Sequence, residues 1–140
     1  MKRRVVLLKK WIMFGTFILS CFLFGGSCLQ IDRVNTEFFY NGDIIFCYED
    51  FELFQHLDDK EFKILKSILN GKKLYRDNPS CGFSENISIK FNDEQTFCIA
   101  RDSCPIIYWK EKDKYIKLSK KEKQKLYDLF ETYGLFFPCV

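Results

Sequence analysis

The chain has 140 residues, 22 of them basic and 19 acidic, for a net charge of +3. Five of the positive charges sit in the first ten residues (Lys2, Arg3, Arg4, Lys9, Lys10), and beyond them 17 basic residues face 19 acidic ones. The basic balance therefore belongs to the N-terminus and gives no ground for nucleic-acid binding.

Met1–Lys10 is a basic leader, and the 21 residues from Trp11 to Ile31 carry no charge. That layout predicts an export segment, with 1–27 a signal peptide or membrane anchor. Ile18-Leu19-Ser20-Cys21 resembles a bacterial lipobox, the signal for lipidating a cysteine and cleaving just before it. Gly25-Gly26-Ser27-Cys28 is similar to one, although it lacks the usual Leu three residues before the cysteine. Cleavage at Cys21 would leave Phe22-Leu23-Phe24 as an apolar start, so Cys28 is preferred for lipidation and Cys21 is the alternative. A third course is no cleavage, because the uncharged stretch is long enough to span a bilayer as a helix. The tethered options agree on orientation: the basic end stays in the cytoplasm and the domain faces outward. The resemblance covers only the first fifth of the chain and implies nothing about the domain that follows.

The chain holds seven cysteines, none of them spaced C-x-x-C. With an export segment, Cys47, Cys81, Cys98, Cys104 and Cys139 read as disulfide candidates in an oxidising compartment. The expected pairs are Cys81 with Cys104 across a sheet edge and Cys98 with Cys139, leaving Cys47 free or bound to Cys28.

Residues 28–43 read as a polar tether ending in an Asn41-Gly42 turn. Ile44–Tyr48 is β-prone, whereas Glu49–Leu57 fits neither helical nor strand period. Asp58 or Asp59 then caps a helix, with Glu61 in capping-box spacing from Asp58 and an apolar stripe of Phe62, Leu65, Ile68 and Leu69. Asn70-Gly71 ends it, and Lys72–Ser84 reads as a loop with a turn at Asn78-Pro79-Ser80. Ile87, Ile89 and Phe91 alternate with Ser88 and Lys90, the period-two pattern of a half-buried strand. Asn92 to Gln95 closes a hairpin into Thr96–Arg101, Asp102-Ser103 turns again, and Ile106–Trp109 and Tyr115–Leu118 follow as strands. Ser119 and Glu122 form a second capping box before a stripe of Leu126, Leu129, Phe130 and Tyr133, and Gly134 stands where a left-handed terminator belongs. The predicted order is β-α-β-β-β-β-α. It implies an α+β fold over 44–140: a small antiparallel sheet, a meander of about four strands plus one N-terminal strand, with two helices on one face. Twelve of the 16 Phe lie beyond residue 30, enough apolar bulk for a core.

Catalytic signatures are sparse. His56 is the only histidine and reads as a surface or capping residue. Cys98 and Cys104 are too widely spaced for a usual zinc ligand pair. Asp102 and Asp93-Glu94 lie in turns, where acidic residues sit by default. Phosphate loops, G-x-S-x-G and EF-hand spacings are missing, so no cofactor and no metal is expected. Asn86-Ile87-Ser88 is a glycosylation sequon without weight in a bacterial export context.

Charge is unevenly laid out: residues 29–65 hold nine acids and three bases, and residues 110–125 hold eight lysines and three acids. Lys117, Lys120, Lys121, Lys123 and Lys125 form a candidate basic face toward an envelope polymer, lipid head groups or an acidic protein, with a solvated helix face as the plainer reading. The composite expectation is a membrane-tethered envelope protein acting as a non-enzymatic binding module, inhibitor- or immunity-like. The alternatives are a structural accessory subunit of an envelope complex and a small thiol-redox enzyme.

Overall fold

The computed structural model describes residues 32–77, 79–102 and 104–137. The order is β1 (Gly42–Tyr48), β2 (Phe51–His56), α1 (Asp59–Leu69), β3 (Leu74–Tyr75), β4 (Ile87–Phe91), β5 (Gln95–Ile99), β6 (Ile106–Trp109), β7 (Lys114–Lys117) and α2 (Lys120–Glu131). The strands form one sheet, ordered β2-β1-β4-β5-β6-β7-β3, with every neighbouring pair antiparallel. The α+β class is as predicted, but the described residues hold seven strands, and both additions are edge strands.

β2 follows β1 through a two-residue hairpin in which Tyr48 pairs with Phe51 and Glu49 takes a positive φ of 53°. β3 has only two residues, too few for any period. It exists because Leu74 and Tyr75 pair with Ile116 and Tyr115 of β7. The expected tether is also corrected. Val34, Thr36 and Phe39 are buried, and Val34 exchanges backbone hydrogen bonds with Gly71 and Lys72 at 2.8 Å. Residues 32–39 therefore belong to the packed unit, held by apolar residues that are spaced without period and lie outside the sheet.

Register sets one face of the sheet. Ile44 and Phe46 align with Ile89 and Ile87, and Phe97 and Ile99 with Trp109 and Ile107. Against this face pack Leu65, Ile68 and Leu69 of α1 and Leu126, Leu129 and Phe130 of α2, in one contiguous core. Phe91 is its hub, stacked on Phe39 at 4.7 Å between ring centres and edge-on to Phe62 and Phe97. Gly42 lies opposite Phe91, where a Cβ would come within 2.9 Å of Leu57 Cδ1 and 3.1 Å of the Phe91 ring.

Both capping boxes form. Asp58 Oδ1 accepts from the Lys60 and Glu61 amides at 2.8 Å, and Glu61 Oε2 accepts from the Asp58 amide at 2.9 Å. In the second box the Ser119 amide donates to Glu122 Oε2 at 2.8 Å. The Glu122 carboxylate also meets Lys72 Nζ at 2.5 Å, joining the start of α2 to the chain after α1. Burial pushes the Glu122 carboxyl upward, but the hydrogen bonds from Lys72 and Ser119 outweigh it and hold the group below its ordinary value. Tyr133 Oη donates to Glu61 Oε1 at 2.6 Å and ties the end of α2 to the start of α1.

Phe91→Ala should cost about 3–5 kcal/mol in urea unfolding, the usual result of deleting a buried ring. Phe54→Ala, 69% exposed, should stay within about 0.5 kcal/mol. A depressed carboxyl pKa contributes stability that is present above the unfolded value and lost as pH falls through the folded one. Lys72→Met should therefore be destabilising at pH 7, and its gap to wild type should narrow as pH falls through 4.5 and below.

Candidate interaction surface

The sheet face away from the helices carries Ile45 and Cys47 of β1, Phe54 of β2, Ser88 of β4, Cys98 of β5, Tyr108 of β6 and Tyr115 of β7, aligned by the strand registers. The connection from β3 to β4 covers part of it. Phe83 packs on the rings of Tyr108 and Tyr115 at 5.8 and 5.7 Å. Ser88 Oγ donates to the Glu85 carbonyl at 2.7 Å, and the Glu85 carboxylate meets Lys110 Nζ at 2.5 Å. The Cys81–Cys104 disulfide fastens this strap to the β5–β6 connection, the first of the expected pairs. Beneath it Ser88 and Cys98 are buried.

Cys98 is bonded to no cysteine among the described residues; Cys139, with which it is expected to pair, lies outside them. It sits mid-strand between Ser88 and Tyr108, under the strap. Burial, and then the charges of Glu85 and Glu111, push its pKa up to about 11. A thiol protonated at neutral pH is a poor nucleophile and a poor ligand. Cys47 is likewise bonded to no cysteine among the described residues, and it is half-buried. Cys21, Cys28 and Cys139 lie outside the described residues, as does the whole export segment 1–27. Asp102 lies near the Cys81 and Cys104 sulfurs, but these are joined to each other and offer no thiolate. Its Oδ1 accepts from the Cys104 amide at 3.3 Å, a turn contact.

On β1 the strap meets only its end, where the Cys47 amide donates to the Asn86 carbonyl at 2.6 Å, and no ring of the strap packs on β1 or β2. Among the described residues only β1 pairs with β2, so the outer edge of that strand is free. Phe54 is 69% exposed on the uncovered face, and Phe51 is 47% exposed at the start of the strand. Phe51 borders a notch of about 420 Å³ with Phe46, Tyr48, Leu135 and the 71% exposed Phe136. Glu49 and Asp50 stand at its rim. At the far end of β2, His56 Nδ1 lies 2.8 Å from Asp43 Oδ1, a surface pair consistent with the plain reading of the histidine. From Asn41 through Asp59 the sequence holds six acids (Asp43, Glu49, Asp50, Glu52, Asp58, Asp59) and no lysine or arginine.

The five lysines of the expected basic face take individual places. Lys117 leaves β7 over the Tyr75 ring at 4.5 Å, and Lys123 lies over Tyr127 at 5.1 Å. Lys125 lines the groove between the two helices with Asp58, Glu61 and Asp128. Lys120 and Lys121 point to solvent in the first turn. At 100° per residue these positions spread over the solvent half of α2. Sequence reasoning missed the β2 edge. The usable signal was Glu49-Asp50-Phe51-Glu52-Leu53-Phe54, an acidic and aromatic run with no base to balance it.

Among the described residues no helix is long and apolar enough to cross a membrane. Replacing Cys81 and Cys104 together by Ser should lower unfolding free energy by about 3 kcal/mol, the order expected for closing a loop of this sequence separation, 23 residues. Equilibrium urea unfolding of the full chain checks it. Compared with known proteins, the chain matches no family model, no curated protein and no solved structure.

Proposed function

We propose that the chain is a small exported protein, tethered at the outer side of a bacterial membrane, whose domain acts as a non-enzymatic binding module of the kind that inhibits or neutralises another protein. The observation that carries this reading is the uncovered β1–β2 part of the sheet, where a free strand edge meets the exposed rings of Phe51, Phe54 and Phe136. Exposed rings on both sides of an unpaired edge, Phe54 on the outer face and Phe51 and Phe136 on the inner, are apolar surface of the kind that marks interaction sites. The Cys81–Cys104 bridge supports an oxidising compartment, and the basic, then uncharged, N-terminus supports the tether.

A thiol-redox role finds little support, since Cys98 is buried with its pKa raised and Cys81 and Cys104 are not a C-x-x-C pair. The accessory-subunit reading would use the same surface in a permanent complex. Two satisfied capping boxes and one contiguous core favour a domain that stands without its partner.

The test is the intact mass of the protein extracted from membranes and alkylated in denaturant without reduction. The expected mass is that of a chain beginning at Cys28, or at Cys21, with diacylglycerol attached and Cys81 and Cys104 unalkylated. An unlipidated chain with every cysteine alkylated would overturn both the tether and the oxidising compartment.

A further inference from the structure

We infer that the free edge of β2 is a strand-pairing site for an extended, lysine- or arginine-rich segment of a partner protein. This deepens the binding-module reading and rests on it. An edge strand presents a row of unpaired amide and carbonyl groups, and an added strand satisfies them while its side chains alternate between the two faces. Protein edges are ordinarily blunted by shortness, bulges or inward charge. The opposite edge follows that rule, since β3 has two residues and is continued only by the Arg33–Lys73 bridge. β2 is protected only by its charge: it runs six residues and leaves Phe54 69% exposed on the uncovered face.

Charge decides the occupant. Glu49, Asp50 and Glu52 lie at the edge, and no lysine or arginine occurs between Asn41 and Asp59. A second copy paired through β2 would bring three carboxylates from each strand into one interface without a basic residue from either strand to offset them. An anionic lipid surface is repelled for the same reason. A basic strand meets the opposite condition: cationic side chains on its outer face can reach Glu52 and the Glu49-Asp50 turn, their stems lying over Phe54 on that same face, while the alternate apolar side chains, on the inner face, enter the notch beside Phe51 and Phe136.

The experiment uses the full chain in detergent micelles, titrated with a short peptide of alternating lysine and valine and followed by amide hydrogen exchange. Two control peptides accompany it, one of alternating glutamate and valine and one a lysine–valine peptide N-methylated along its pairing edge. The expected result is protection confined to Phe51–His56 with the basic peptide, and none with either control. Glu52→Lys should weaken binding about tenfold, the effect of reversing one or two cross-strand charge pairs, whereas Lys121→Gln should leave it unchanged. Equal binding of the N-methylated or the acidic peptide, protection elsewhere in the domain, or no protection at all would overturn the proposal. Protection of β2 that rises with protein concentration alone would assign the edge to a second copy and overturn it too. Lipid and disulfide state are read separately by mass, so a failed titration removes the strand-pairing site while leaving the tethered domain standing.

Discussion

A single sheet has two faces, and each must be covered if its apolar residues are to leave water. Here the faces are covered by different means. The inner face carries a continuous aromatic and aliphatic surface centred on Phe91, and the two helices close it with Leu65, Ile68, Leu69, Leu126, Leu129 and Phe130. Among the described residues no helix packs on the outer face. A length of irregular chain between β3 and β4 lies over its central strands, with Phe83 as the one ring that packs down and the Cys81–Cys104 bridge as its fastener. Irregular chain supplies few backbone hydrogen bonds of its own, so a covalent tie is a sensible way to hold such a cover in place.

The strap packs on the strands that flank Cys98 and touches β1 only through the Cys47–Asn86 hydrogen bond, and this partial cover concentrates the unusual features in one place. Within the same uncovered part are the free edge, Phe54, the half-buried Cys47 and a run of acids. The lysines are distributed around the solvent half of α2 and along β7, two of them, Lys117 and Lys123, lying over Tyr75 and Tyr127. Their scatter is that of a solvated surface, whereas the acids near β2 coincide with exposed rings. That coincidence, more than net charge, distinguishes the two ends of the domain.

Both helices were legible in the sequence because their signals are local. Asp58 with Glu61 and Ser119 with Glu122 satisfy orphan amides within a single turn, whatever the rest of the chain does. The strands β4, β5 and β7 were legible because each has an inner residue alternating with an outer one. β2 was not, since Phe54 faces outward on the uncovered part of the sheet while Phe51 and Leu53 face inward, and the alternation disappears. β3 is defined only by its partner β7. The Val34 and Phe39 anchors carry no period because they belong to neither helix nor strand. Among the cysteines, Cys81 and Cys104 flank connections that meet at one side of the sheet. For Cys98 the register adds a place opposite Ser88 and Tyr108 beneath the strap, a position that counting cysteines cannot supply.

The most direct test of a half-covered outer face is the rate at which Cys47 and Cys98 are alkylated in the native full chain, resolved by peptide mass. Cys47 should react while Cys98 stays protected, and reduction of the Cys81–Cys104 bridge should bring Cys98 into reaction as the strap loosens. Equal rates at the two thiols before reduction would mean that the strap does not cover the central strands, and the contrast between the two parts of that face would be lost.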